Sequence, residues 1–141
     1  MRKKYSREIA NRLKCCDLKW FTKQAKKAVA IPYESFTKSC VSGPLLASLA
    51  VTYRCNQRCS YCELPERGIA DKELQTEGFK KIIDQLIKLE ASSISFTGGE
   101  PLIRKDVPEL IRYIKKSGTS TNLTTNGMLI TPELSEVIID A

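Results

Sequence analysis

The chain has no histidine at all. That removes imidazole as a general acid or base and excludes a zinc site of mixed cysteine and histidine ligands. It also lacks any apolar run approaching the roughly 20 residues of a membrane-spanning helix. Met1-Arg2-Lys3-Lys4 is basic, but the apolar stretch of a secretory signal does not follow it. No internal repeat or low-complexity tract stands out. Acidic residues are scarce at one end only. Residues 1–38 hold eleven Lys/Arg against three acids, a net of +8, and residues 39–141 hold twelve against thirteen, a net of −1. The formal charge of +7 therefore belongs to the N-terminal segment. With 141 residues, 42% apolar and 28% charged, the composition suits one ordinary soluble domain.

What is present is cysteine, six in number, and three are clustered: Cys55, Cys59 and Cys62. Without a secretory signal, clustered cysteines read as metal-binding rather than disulfide-forming, and a reduced, cytoplasmic location is expected. The spacing is C-x3-C-x2-C. Structural zinc takes four protein ligands, commonly as two close pairs, and a closed iron–sulfur cluster takes four thiolates. Three thiolates on a cubane cluster leave one iron open to something that is not protein. Only Cys15, Cys16 and Cys40 remain as further thiols, and none belongs to a second C-x2-C pair.

The cysteine run carries an aromatic, Tyr61, just before its last cysteine. Thr97-Gly98-Gly99-Glu100-Pro101 follows some 35 residues on, and Thr124-Thr125-Asn126-Gly127 follows that. In these motifs, their order and their separation, residues from Leu45 to Ala141 resemble the radical S-adenosylmethionine (SAM) enzymes. The resemblance implies a 4Fe-4S cluster on Cys55, Cys59 and Cys62, with SAM chelating the open iron. It places Gly98, Gly99 and Glu100 along the methionyl part of SAM, Tyr61 by the adenine or the cluster, and Asn126 within reach of SAM or substrate. It further implies reductive cleavage of SAM to a 5′-deoxyadenosyl radical that abstracts hydrogen from a substrate, with electrons from a reductase or a ferredoxin- or flavodoxin-type donor. No catalytic side chain is singled out, and the substrate is not legible.

Periodicity places these motifs independently. A basic helix is expected from about Ser6 to Ala30, then a connector from Ile31 to Pro44, where Ile31-Pro32 and Gly43-Pro44 interrupt the chain. Leu45–Tyr53 reads as a strand buried on both faces. Thr76 caps a helix whose Phe79, Ile82, Ile83, Leu86 and Ile87 form one apolar face. Ser93–Thr97 is a second strand and Asp106 starts a second such helix, with Gly118 past its end. Asn122–Thr125 is a third strand, and Thr131-Pro132 opens a last helix. The order β-α-β-α-β-α favours a parallel sheet, with each candidate stretch leaving the end of a strand, where α/β barrels gather their active sites.

The expected class is thus α/β, a partial (β/α) barrel of the radical SAM type with about three units present, preceded by a basic N-terminal helix. Residues 1–44 form the extension and connector, and residues 45–141 the N-terminal half of the domain. Family barrels have six units, which on a scale of about 30 residues each need roughly 190 residues. The sequence stops inside an expected helix and reads as truncated. An unpaired strand edge and uncovered apolar inner faces then invite self-association. Arg54 and Arg58 flank the cysteines and either offset the charge of a reduced cluster, lower thiol pKa values, or face solvent. Two rivals remain. One is a zinc- or cluster-binding structural module, separated by metal analysis. The other is a nucleic-acid-binding protein using the basic helix, separated by steep salt dependence lost on deleting residues 1–38.

Overall fold

The computed structural model describes residues 18–38, 42–64 and 73–140. The chain divides into two compact units, one ending at Ser42 and one beginning at Gly43. In the first, helix α1 spans Leu18–Thr37 and runs straight through Pro32. The expected break at Ile31-Pro32 is therefore wrong. Proline removes one ladder hydrogen bond, a cost of about 3 kcal/mol, but leaves later turns able to form. Here Ser35 Oγ donates to the Ile31 carbonyl and Thr37 Oγ1 to that of Tyr33, both at 2.9 Å, which adds bonds just beyond the break. Lys38, at φ 55°, ends the helix. The expected start near Ser6, and Cys15, Cys16 and Cys40, lie outside the described residues.

The second unit alternates as expected: β1 Leu46–Thr52, α2 Thr76–Lys88, β2 Ser93–Gly98, a 3₁₀ turn Pro101–Ile103, α3 Val107–Lys115, β3 Ser120–Leu123 and α4 Pro132–Asp140. The strands form one open parallel sheet in the order β1-β2-β3. Thr76 is not the cap of α2. It is the first helical residue, and its hydroxyl donates 2.6 Å to Asp106 instead. Thr131 does cap α4, accepting from the Leu134 N–H at 3.2 Å.

Register sorts the side chains. Ala47, Ile94 and Thr121 share one face with Leu49, Phe96 and Leu123. Phe79 and Ile83 of α2 and Val107, Leu110 and Ile114 of α3 complete the core on that face. Leu46, Ser48 and Ala50 pair with Ser93, Ser95 and Thr97 on the other, with Ser120 and Asn122 beyond. On that face Leu46, Ser48, Ala50 and Asn122 are exposed and the rest half-buried. This corrects two expectations. β1 is not buried on both faces: it is an outer strand of the sheet, and its Leu46, Ser48 and Ala50 are exposed. The uncovered inner face is also not apolar: apart from Leu46 it carries serine, threonine, alanine and asparagine, which tolerate water.

Candidate functional site

All three candidate stretches leave the same end of the sheet. The cysteine loop follows β1, the Gly-Gly-Glu-Pro stretch closes β2, and Thr124–Gly127 follows β3. The register slips between Ala50 and Thr52, so that Thr52 pairs with Gly98 and the two loops start side by side. Gly99 N–H donates to the Thr52 carbonyl and Glu100 N–H to that of Arg54, both at 2.8 Å. This close approach explains the glycines. A Cβ on Gly98 would lie 2.2 Å from the Thr52 oxygen, and one on Gly99 would lie 2.1 Å from the Arg54 oxygen. Gly98 also sits at φ 128°, a region side-chain-bearing residues avoid. Both positions thus need glycine for the chain's own backbone.

Glu100 is fully buried. Its carboxylate accepts from Leu102 N–H at 2.9 Å, from Thr125 Oγ1 at 2.8 Å and from Asn126 N–H at 2.8 Å. It therefore pins the turn after β2 to the loop after β3. Thr125 Oγ1 in turn accepts from Gly127 N–H at 3.1 Å. The Asn126 side chain reaches the cysteine loop, donating 2.8 Å to Asn56 Oδ1.

Cys55, Cys59 and Cys62 are all free and half-buried. A turn closes with Cys62 N–H donating 3.0 Å to the Cys59 carbonyl. Gln57 N–H donates to Cys55 Sγ at 3.4 Å, and Cys59 Sγ faces Gln57 Oε1 at 3.8 Å. Among the described residues, no group of three Cys, Asp or Glu side chains is gathered closely enough to hold a metal ion. The donor set nevertheless fits a soft metal: three unpaired thiols on one loop, with no competing disulfide among them. Binding requires the loop to draw them together. Tyr61 is 89% exposed. Hydrogen bonding to Cys59, then the charge of that neighbouring thiol, push its phenol pKa upward.

Sequence reasoning missed two residues that hold the base of this site. Glu73 accepts from Thr52 Oγ1 at 2.5 Å and from Tyr53 N–H at 2.8 Å, and pairs with Arg54 at 3.4 Å. Arg54 is thereby turned towards Glu73, and Arg58 is exposed. Arg104 forks onto Asp106 at 3.0 and 2.6 Å, donates to the carbonyls of Val51 and Leu74, and lies 4.9 Å from the Phe79 ring centre. It ties the end of β1 to the starts of α2 and α3. A cleft of about 590 Å³ among Arg54, Glu73, Gln75, Thr76, Arg104 and Asp106 is lined by none of the cysteines. No local signal marks these residues, because their partners lie up to 53 positions away.

Burial pushes the Asp106 carboxyl up, but hydrogen bonds from Arg104 and Thr76 and the guanidinium charge outweigh it and hold the pKa low. Glu73 is likewise held low against burial by Thr52, Tyr53 and the two arginines. A folded-state pKa below the unfolded one contributes stability above the unfolded value and loses it as pH falls through the folded value. Melting temperature should therefore drop below the usual carboxylate range, and Asp106→Asn should flatten part of that drop. An acid limb of equal size in Asp106→Asn would refute the assignment.

The sequence model described as Radical SAM superfamily matches residues 49–141. The chain belongs to the radical SAM superfamily. It is similar to PqqA peptide cyclase of Bradyrhizobium diazoefficiens, 38% identical over 99 residues, covering 70% of this chain and 26% of that protein. Fe-coproporphyrin III synthase of Methanosarcina barkeri is 40% identical over 87 residues, covering 61% and 22%. The crystal structure of Streptococcus suis SuiB bound to precursor peptide SuiA superposes with a TM-score of 0.60 at 26% identity, over 68% of this chain and 22% of that one. This radical SAM chain thus spans about a quarter of the length of the relatives it matches. The open three-stranded sheet fits the N-terminal half of the family core, as the resemblance implied. Among the described residues, no helix is long and apolar enough to cross a membrane.

Proposed function

We propose that this chain supplies the cluster- and SAM-binding half of a radical SAM enzyme. The observation that carries the reading is the meeting of three loops at one sheet end, with three free thiols on the first. Cys55, Cys59 and Cys62 would hold a 4Fe-4S cluster, leaving one iron for SAM, whose reductive cleavage supplies a 5′-deoxyadenosyl radical for hydrogen abstraction. The chain's own part is to bind and orient. Gly98 and Gly99 keep the second loop against the first, offering backbone rather than side chain to the methionyl end of SAM. Glu100 sets the shape of that loop from below. Asn126 and the exposed Tyr61 border the same end.

A peptide substrate is favoured by two relatives, one named for cyclising a peptide and one solved with a precursor peptide. The inner sheet face, which apart from Leu46 and Ala50 carries hydroxyl and amide groups, suits a polar main chain, which needs hydrogen-bond partners on burial. Unpaired thiols suit a reducing cytoplasm and an electron donor of the ferredoxin, flavodoxin or reductase kind. Among the described residues β1 and β3 are the outer strands of an open sheet, an arrangement that favours self-association. For the test, SAM is added to the anaerobically reconstituted, reduced protein. It should change the cluster's paramagnetic resonance spectrum, and a spectrum unmoved at saturating SAM would count against SAM binding.

A further inference from the structure

Asn126 stands where three loops meet, and its side chain has one orientation that satisfies every neighbour. Its Oδ1 accepts from Met128 N–H at 3.0 Å. Its Nδ2 donates to Asn56 Oδ1 at 2.8 Å and points at Cys55 Sγ at 3.9 Å. Turning the amide over would set its N–H group against the Met128 N–H, so the donor end is held towards the cysteine loop. The backbone of Asn126 is held as well. Its N–H is bound by the buried carboxylate of Glu100, which also holds the preceding residue through Thr125 Oγ1. An unbroken path of contacts therefore runs from the Gly-Gly-Glu-Pro turn through Glu100 and Asn126 to the first cysteine.

We infer that Asn126 is a positioning residue for the first cluster thiolate: anchored by Glu100, its side-chain amide sets the place of Asn56 and Cys55 and donates to the Cys55 sulfur. The inference rests on the cluster reading proposed above. Hydrogen bonds to ligand sulfurs raise the potential of iron–sulfur clusters, and the groups that orient a metal ligand govern its affinity. At 3.9 Å the contact to sulfur is long, while the bond to Asn56 is of ordinary length. The first arm of the effect is therefore mechanical, and the second is electronic once the loop has drawn its thiols together. Glu100 has a part here that needs no direct contact with SAM, because three donors of the chain already occupy its carboxylate.

The test uses the full chain in two states. In metal-free protein, hydrogen exchange is followed by mass spectrometry across residues 53–62. Asn126→Ala should speed exchange there several-fold, with α2 and α3 unchanged as internal controls. Glu100→Gln replaces one acceptor oxygen by a donor and should loosen the same peptide. If that buried change unfolds the chain, the exposed Asn126→Ala still decides. In reconstituted protein, Asn126→Asp keeps the size of the side chain but turns a donor into an acceptor. It should leave iron content near wild type and shift the cluster midpoint to a more negative potential, which loss of packing alone would not do. Unchanged exchange over residues 53–62 in Asn126→Ala overturns the inference, as does an unchanged midpoint in Asn126→Asp. If the wild-type chain takes up no iron, the cluster reading has failed, and the exchange result alone then decides the positioning of the loop.

Discussion

Alanine at Cys55, Cys59 or Cys62 should abolish cluster assembly, each change by itself. Anaerobic reconstitution of the wild-type chain should give a brown protein with about four irons and four sulfides per chain. Each of the three variants should fall to background iron, since a cubane held by two thiolates lacks the third corner that fixes it to the loop. The reasoning is chemical rather than geometric. No histidine exists to substitute. Among the described residues, the free cysteines are these three and no others. Between Cys55 and Cys62 the other side chains offer only amides, hydroxyls and a guanidinium group, which are poor ligands for iron in a sulfide cluster. Cys15→Ala and Cys16→Ala, far upstream in sequence, should keep full iron content. Native protein that carries zinc and takes up no iron would sink the cluster reading and favour the structural module.

Gly99→Val should lose most of the response to SAM and a large part of the fold's stability together. The added Cβ falls 2.1 Å from the Arg54 carbonyl oxygen and 3.0 Å from that of Tyr53. Both contacts are to backbone, which cannot swing aside as a long side chain can. Relief requires the turn after β2 to pull away from the start of the cysteine loop, breaking the bonds from Gly99 N–H to Thr52 and from Glu100 N–H to Arg54. Overpacking against a well-packed backbone costs on the order of 3 kcal/mol. In a domain of this size that corresponds to a fall of roughly 10–20 °C in Tm. The mark of this mechanism is that the metal-free protein suffers too. A variant with a normal melting curve that loses only the response to SAM would show that Gly99 faces the ligand alone and leaves the loop docking unaffected.

The glycine case shows how far sequence reasoning reached. Two glycines followed by Glu-Pro at a strand end were enough to mark a place where backbone must come close to something. What it comes close to is the carbonyl row at the end of β1, known only once the register pairs Thr52 with Gly98. Glu100 follows the same pattern. Its presence in the motif was legible, but its three donors come from residues as far away as Asn126, and they decide whether the carboxylate faces a ligand or the protein.

By itself the sequence determined the alternation of strands and helices, the placing of each motif after a strand, and the clustering of three thiols on one loop. Those signals are local: apolar period along α2 and α3, the Thr-Pro start of α4, and cysteine spacing within eight residues. Only the tertiary structure decided that α1 passes through Pro32, that β1 is an edge strand exposing Leu46, Ser48 and Ala50, and that Glu73 and Arg104 brace the site. It alone brings Asn126 to Cys55, 71 residues away in the chain. The division has one physical cause. Helix caps and periodicity are settled among residues a few positions apart. A hydrogen bond between distant loops exists only after strand register has fixed which backbone groups face each other, and burial then decides which side chains must find partners.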